Sequence, residues 1–326
     1  MNMKIKNNNI IVCGLGDHAR KNIIPAIQKS EVLNLYGLCT RNNNVLVATS
    51  EEYQCLAFSD FNEILNDKNI DIVYLSTPPG LHYEQGIKAL NAAKHLWIEK
   101  PLTIDIRETR QLIKLASESN LSLCEGIMYK YHPHFYELKQ YFSKNLLGKV
   151  RQISSKFGLP KMNQPGFRFD KEQGASCLYD VGIYPISLIL SLFSDEEIVI
   201  EESHLIFDQS TGIDVAGSAS LLIDSRIHCS LDWSYNTSYR NEVDVWGEKS
   251  SLFTKKIFSK DKDYIPTFII SNRNGEISEI EIEKSNHFLS MLNFFSKTIT
   301  DENFAKEQRS QINKLAECLS RINEIG

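Results

Sequence analysis

The sequence predicts an α/β protein: an N-terminal doubly wound parallel sheet, then an α/β domain built on a large, open, mostly antiparallel sheet. Three observations carry this. Apolar runs alternate with helical periods as far as Cys124, the pattern of βαβ units. A glycine turn, Gly14-Leu15-Gly16, joins the first apolar run to the first helix. Beyond Gly148, short runs with partial two-residue alternation take over, as half-covered antiparallel strands require.

Asn9 to Cys13 reads as a short buried strand, followed by the glycine turn and an amphipathic stretch through Ile23, Ile24, Ala26 and Ile27. Val32 to Cys39 and Asp71 to Ser76 are further strands, the second ended by Thr77-Pro78-Pro79-Gly80. A helical pattern runs to Ala93, and His95 to Ile98 forms a strand closed by Glu99-Lys100-Pro101. Thr103 is the expected N-cap of a helix reaching about Ser117, and Leu121 to Cys124 is the last strand of the series. In the second half, Val150–Phe157, Ile198–Phe207, Val215–Leu222, Arg226–Trp233, Glu242–Val245 and Glu276–Glu283 read as strands of one sheet with a free face. Phe288, Met291, Leu292 and Phe295 keep helical spacing, and a final amphipathic helix spans about Asn303 to Ile325. The expected domains are 1–124 and 125–326, the last helix packing back on the first.

Composition narrows the function. Hydrophobic residues at 42% and charged residues at 24% describe an ordinary globular chain and exclude disorder. Lys and Arg number 36 against 41 Asp and Glu, a net charge of -5, which excludes a broad basic surface for nucleic acid. Ile10-Ile11-Val12 is too short for a leader's apolar core, and no membrane span is expected. The seven cysteines are odd in number and show no C-x-x-C spacing, so free thiols in a reducing cytoplasm are expected. His132-Pro133-His134 does not suit a metal ion, because histidines two apart around a proline rarely converge, and no metal is expected. Tyr129, Tyr131 and Phe135 are read as core.

Gly14-x-Gly16-x-x-Ala19 fits the dinucleotide fingerprint. The first glycine makes the tight turn, the second lets backbone approach a pyrophosphate, and small Ala19 lets helix and strand pack closely. At the end of the second strand stand Cys39-Thr40-Arg41, with no carboxylate to bind a ribose 2′-hydroxyl. Arg41 suits a 2′-phosphate and Thr40 offers a hydroxyl, so NADP(H) is favoured over NAD(H). Asp180 and Tyr184 are four residues apart, on one helix face, with Gly182 between them read as room for a ligand and Pro185 as a kink or a fresh helix start.

Gly14-Leu15-Gly16-Asp17-His18-Ala19, Glu99-Lys100-Pro101 and Asp180-Val181-Gly182-Ile183-Tyr184, in this order, resemble the Gfo/Idh/MocA oxidoreductases. Thr77-Pro78-Pro79 to His82, Glu125-Gly126-Ile127-Met128-Tyr129 and His132-Pro133 add to the likeness, which covers nearly the whole chain. Tyr184 stands where many members have His, as in the subgroup of nucleotide-sugar 3-ketoreductases, glucose–fructose oxidoreductase and dihydrodiol and xylose dehydrogenases. Gly174-Ala175-Ser176 departs from the usual glycine-rich lead-in. The stretch from Phe157 through Arg168 to Ile186 looks most like the ketoreductases.

The resemblance implies a Rossmann domain, an oligomer (dimer or tetramer) formed through the open sheet, and oxidation or reduction of an alcohol–ketone pair on a sugar or sugar nucleotide. A free-sugar or trans-dihydrodiol dehydrogenase is the alternative enzyme, and an NADP(H)-binding sensor the non-enzymatic one. Cofactor contacts are expected from Gly14, Gly16, Asp17, His18, Ala19, Thr40, Arg41, Ser76, Thr77, Pro78, His82, Glu99, Lys100 and Arg168. Tyr184 is the expected proton donor and Asp180 orients substrate hydroxyls or Lys100. A phenol's ordinary pKa of about 10 is high for this work, and a nearby Lys100 ammonium lowers it.

Overall fold

A computed structural model describes residues 7–163 and 166–326. Residues 1–6, which bear on the leader expectation, lie outside them, as do 164 and 165 in the stretch compared with the ketoreductases. The chain divides into two units, one made of residues up to Ile127 with Phe288–Asn313, the other of Met128–His287 with Lys314–Gly326.

The first unit is built on six parallel strands, β1 (Asn8–Cys13), β2 (Leu33–Cys39), β3 (Leu56–Phe58), β4 (Ile72–Leu75), β5 (His95–Glu99) and β6 (Leu123–Gly126), in the order β3-β2-β1-β4-β5-β6. This is the Rossmann order, and it reverses direction between β1 and β4, where such sheets bind ligands beyond their carboxyl ends. A boundary at residue 124 would cut β6. The connecting helices are α1 (Ile24–Gln28), α2 (Asn43–Tyr53), α3 (Phe61–Asn66), α4 (His82–Asn91) and α5 (Ile106–Glu118). The N-cap of α5 is Asp105, whose carboxylate accepts from Arg107 N, and not Thr103 as expected. Both residue types cap helices, but the Thr103 hydroxyl is engaged by the Asp105 carbonyl and Thr109. From the C-terminal part of the chain, Phe295 packs edge-on against Trp97 at 5.4 Å. Thr298 meets Ser122, which accepts from the Trp97 indole at 3.0 Å.

The second unit holds α6 (Pro133–Ser143), α7 (Ile183–Leu192) and eight strands. The strands are β7 (Val150–Gly158), β8 (Ile198–Phe207), β9 (Asp214–Ile223), β10 (Ile227–Ser234), β11 (Arg240–Gly247), β12 (Ser250–Lys255), β13 (Thr267–Asn272) and β14 (Ile277–Glu281). All neighbours are antiparallel except β7 and β10, so the sheet is mostly antiparallel as expected. Alternation buries Ile153 and Phe157, Leu231 and Trp233, and Val243 and Val245 on one face, against which α7 lies. α8 (His287–Thr300) and α9 (Glu302–Ile325) complete the chain.

Lys171–Leu192 is long and apolar enough to cross a membrane, which corrects the expectation that no such stretch exists. It is not one continuous helix in this fold, its helical end being Ile183–Leu192, and 78% of its apolar window is buried.

Lys260 is an unusual member of this core. It is buried, donates to the Ile257 carbonyl at 2.7 Å, and burial pulls its ammonium down to about 7 from the ordinary 10.5. The folded-state value lies below the unfolded one, so the charged lysine opposes folding fully below about pH 7 and progressively less up to about pH 10.5. Lys260→Met is therefore expected to raise Tm at pH 6, with the gain shrinking through that window. A Tm that falls at pH 6, or a gain that does not depend on pH, would count against this account.

Candidate active site

The glycine turn stands at the reversal point of the parallel sheet. Gly14 has φ +89°, and a Cβ there would lie 2.5 Å from the Ser76 carbonyl oxygen, so only glycine fits. Gly14 N donates to Cys39 O at 2.9 Å and Ser76 N to Cys13 O at 2.7 Å, which locks the ends of β1, β2 and β4 together. A Cβ on Gly16 would meet nothing within 4 Å, so backbone faces open space on the ligand side of the turn. Ala19 is fully buried and begins a π-helical turn, Ala19–Ile23, ahead of α1. This turn, with its exposed backbone at Gly16, fits a dinucleotide pyrophosphate.

Around it the expected residues divide by environment. Asp17 is exposed and takes Arg20 and Lys21, each at 2.6 Å; the Lys21 hydrogen bond foremost holds its carboxyl below the usual range. His18 Nε2 meets Glu99 Oε1 at 2.9 Å, and its ring stacks edge-on against Phe288. Tyr74 donates to the same Glu99 oxygen at 2.5 Å. Burial opposes the Glu99 charge, but His18, Tyr74 and Lys100 together outweigh it and hold the carboxyl below its usual range. Lys100 follows on directly, half-buried at the end of β5. Thr40 Oγ1 accepts from Asn42 N, and Arg41 is exposed beyond the end of β2. Thr77 Oγ1 donates to Gln85, and Ser76 and Pro78 are half-buried beside it.

His82 is fully buried. Its two ring nitrogens lie 2.9 Å from the Pro101 carbonyl and 2.8 Å from the Thr77 carbonyl. It is a strut between the loop after β4 and the Glu99-Lys100-Pro101 turn, joining two segments that the sequence gives as separate motifs.

In the second unit the Asp180–Tyr184 segment is not one α-helix. Leu178–Gly182 is a π-helical turn, and α7 begins at Ile183 with Pro185 in its first turn. Asp214 accepts from Leu178 N at 2.7 Å and anchors the start of this turn. Gly182 does not leave room for a ligand, contrary to the sequence expectation: a Cβ there would lie 2.8 Å from the Trp233 ring. Gly217 on β9 approaches the same indole, a Cβ there falling 2.6 Å away, so two glycines give up their side chains to seat Trp233.

The Asp180 carboxylate, 4% exposed, accepts from Arg168 Nε at 2.6 Å and from the Tyr235 hydroxyl at 2.8 Å, both on Oδ2. Arg168, expected among the cofactor contacts, is brought to Asp180. Tyr184 is ringed by Phe157 at 5.1 Å, Phe258 at 5.7 Å and Tyr129 at 6.2 Å between centroids, and its hydroxyl reaches the Met128 sulfur at 3.6 Å. Tyr129 and Phe135 are core, as expected, and Tyr129 bonds Ser187. His134 Nε2 is taken by Thr254 Oγ1 at 2.7 Å, while His132 Nδ1 accepts from the His134 backbone. Tyr235 and Phe258 were not found by sequence reasoning, and Met128 only as part of the Glu125–Tyr129 likeness. Tyr235 and Phe258 carry no motif of their own and reach the site only through the sheet and its loops.

Comparison with known proteins accords with this geometry. Residues 8–127 match the family model described as oxidoreductase family, NAD-binding Rossmann fold. Residues 135–253 match the GFO/IDH/MocA C-terminal domain. The chain is 25% identical over 289 residues to a dTDP-3,4-didehydro-2,6-dideoxy-alpha-D-glucose 3-reductase of Saccharopolyspora spinosa, covering 88% of this chain and 86% of that one. It is 32% identical over 161 residues, 49% of this chain and 47% of the other, to a trans-1,2-dihydrobenzene-1,2-diol dehydrogenase of Danio rerio. Its fold matches the crystal structure of KijD10, a 3-ketoreductase from Actinomadura kijaniata in complex with NADP and TDP-benzene, with a TM-score of 0.93 at 22% identity over 98% of both chains.

Proposed function

The chain belongs to the Gfo/Idh/MocA family of oxidoreductases, and from that premise we propose that it is an NADP(H)-dependent ketoreductase acting on a nucleotide-linked sugar. What supports this reading is that the chain carries both a dinucleotide turn, whose Gly16 faces open space, and, in its second unit, Asp180 and a Tyr184 ringed by aromatic side chains. The relatives named as dTDP-sugar 3-reductases support the substrate class.

The Gly14–Ala19 turn would hold the pyrophosphate, Thr40 and Arg41 the 2′-phosphate, and the Thr77 loop, pinned by His82, the nicotinamide end. Bound NADPH supplies the hydride. As negative charge grows on the carbonyl oxygen, Tyr184 gives it a proton. Lys100 supplies the positive charge that eases proton loss from the phenol and steadies the developing oxyanion. Asp180 accepts from a substrate hydroxyl and fixes the sugar ring.

Mixing the protein with NADPH and a panel of nucleotide-linked and free keto-sugars, and following the nicotinamide absorbance, tests the reading. Turnover of the nucleotide-linked sugars supports it. Turnover confined to free sugars, or to NADP+ with trans-dihydrodiols, would move the activity to the dehydrogenase reading. NADPH binding with no turnover on any substrate would make the protein a sensor.

Arg41→Ala is expected to weaken NADPH binding by about tenfold or more while leaving NADH binding unchanged, because only NADPH offers the 2′-phosphate to a guanidinium. Fluorescence titration with both cofactors measures it, and an unchanged ratio of the two affinities removes Arg41 from the role. Val199, Ile206, Trp246 and Ile277 stand exposed on strands of the antiparallel sheet, Trp246 at 65%, and this face is proposed to meet further copies of the chain. The reducing cytoplasm suits its seven free thiols.

A further inference from the structure

We propose that Tyr235 is a positioning residue for the substrate, acting through Asp180, and that Arg168 is its partner in this task and not a contact of the cofactor phosphate. The inference rests on the ketoreductase reading, in which Asp180 receives a substrate hydroxyl.

A carboxylate buried to 4% exposure demands a compensating charge, and Arg168, 27% exposed, provides it. Neutralisation needs no second donor, yet Tyr235 adds one from a different element. Its hydroxyl comes from just beyond β10, whereas Arg168 lies on the short helical turn Gly166–Phe169. Both donors converge on one oxygen, Oδ2, from opposite parts of the chain. A single donor leaves a carboxylate free to swing about its Cβ–Cγ bond. Two donors on one oxygen fix its plane, and so fix where Oδ1 points.

The same two residues hold the loop. Phe169 packs on the Tyr235 ring at 5.8 Å, and the Arg168 guanidinium lies over Phe167 at 5.1 Å from its centroid. Tyr235 is itself 3% exposed and its backbone N donates to Val215 O at 2.8 Å, so the ring is anchored in the sheet. Burial foremost, and then the carboxylate beside it, push the Tyr235 hydroxyl well above the ordinary phenol range, and it stays a donor throughout the working range. The loop, the sheet and Asp180 thus meet at one hydroxyl and one guanidinium.

The experiment uses the whole protein with Tyr235→Phe and Arg168→Lys, reading kcat and KM for the keto-sugar separately from the Kd of NADPH. Tyr235→Phe keeps the ring and its packing on Phe169 and removes only the donor. It is expected to raise the sugar KM by about tenfold, with kcat and the NADPH Kd unchanged. Arg168→Lys, which keeps the charge and loses the fork, is expected to follow the same pattern even should Tyr235→Phe fold poorly. An unchanged sugar KM in a folded Tyr235→Phe overturns the proposal. So does a rise in the NADPH Kd that keeps pace with the sugar KM in either variant, since that places the pair at the cofactor. A wild type that reduces no keto-sugar removes the ketoreductase reading and this inference with it, and that failure is seen in the wild type and not in the variants.

Discussion

The Tyr184→Phe enzyme is expected to lose about 100- to 10,000-fold in kcat, with its NADPH affinity and its Tm little changed. The substitution takes away one oxygen atom and nothing else. Phe157, Phe258 and Tyr129 surround the ring and will hold a phenyl group in the same place. Its hydroxyl contact with the Met128 sulfur is of a weak kind, so losing it costs the fold little. A drop in rate therefore reports the missing proton donor and not a displaced ring. Steady-state kinetics with a thermal melt on the same sample decide it, and a variant that turns over as fast as the wild type would assign the proton to another group.

Gly182→Ala is expected to be the more damaging change to the fold. A methyl group there would stand 2.8 Å from the Trp233 ring, which Gly217 also closely approaches. The π-helical turn must shift, and with it Asp180 and the start of α7. Overpacking of this kind costs about 1–3 kcal/mol, and activity should fall further than stability because both site residues ride on the moving segment. A double-mutant cycle with Trp233→Leu tests the cause. If the clash is with the indole, the paired substitutions should be less damaging than the sum of the two alone, by about 0.5–3 kcal/mol in urea unfolding. Strict additivity would locate the damage elsewhere.

The parallel half of the molecule was legible because its signals are local. A strand, a glycine turn and a helical period each declare themselves within a dozen residues, and their repetition implies the sheet. Gly14 makes the tight turn, Ala19 is buried and the Cβ position of Gly16 is open. α2 and β3 escaped notice because their apolar signal is weak: Leu56 and Ala57 in the short β3 are exposed. The antiparallel sheet was visible as a class, but the parallel pairing of β7 with β10 was not, since two-residue alternation says nothing of a strand's neighbour.

The candidate site was half-legible for the same reason. Asp180, Tyr184 and Lys100 belong to motifs, whereas what tunes them is remote in sequence. Nothing beside Gly182 announces an indole on β10, and nothing beside Asp180 announces the hydroxyl of Tyr235. A five-residue π turn is also too short to leave a period of its own, so the segment reads as ordinary helix.

The first unit is discontinuous, and this bears on how the protein is made. Trp97 and Ser122 wait for Phe295 and Thr298, which are synthesised only after the entire antiparallel sheet. On the ribosome the dinucleotide-binding unit therefore begins before the antiparallel sheet and is completed only after it. Its apolar edge stays open while the second half folds, which makes that interval the natural moment for a chaperone to act, and the final helices are the closing step for a domain begun at the other end of the chain.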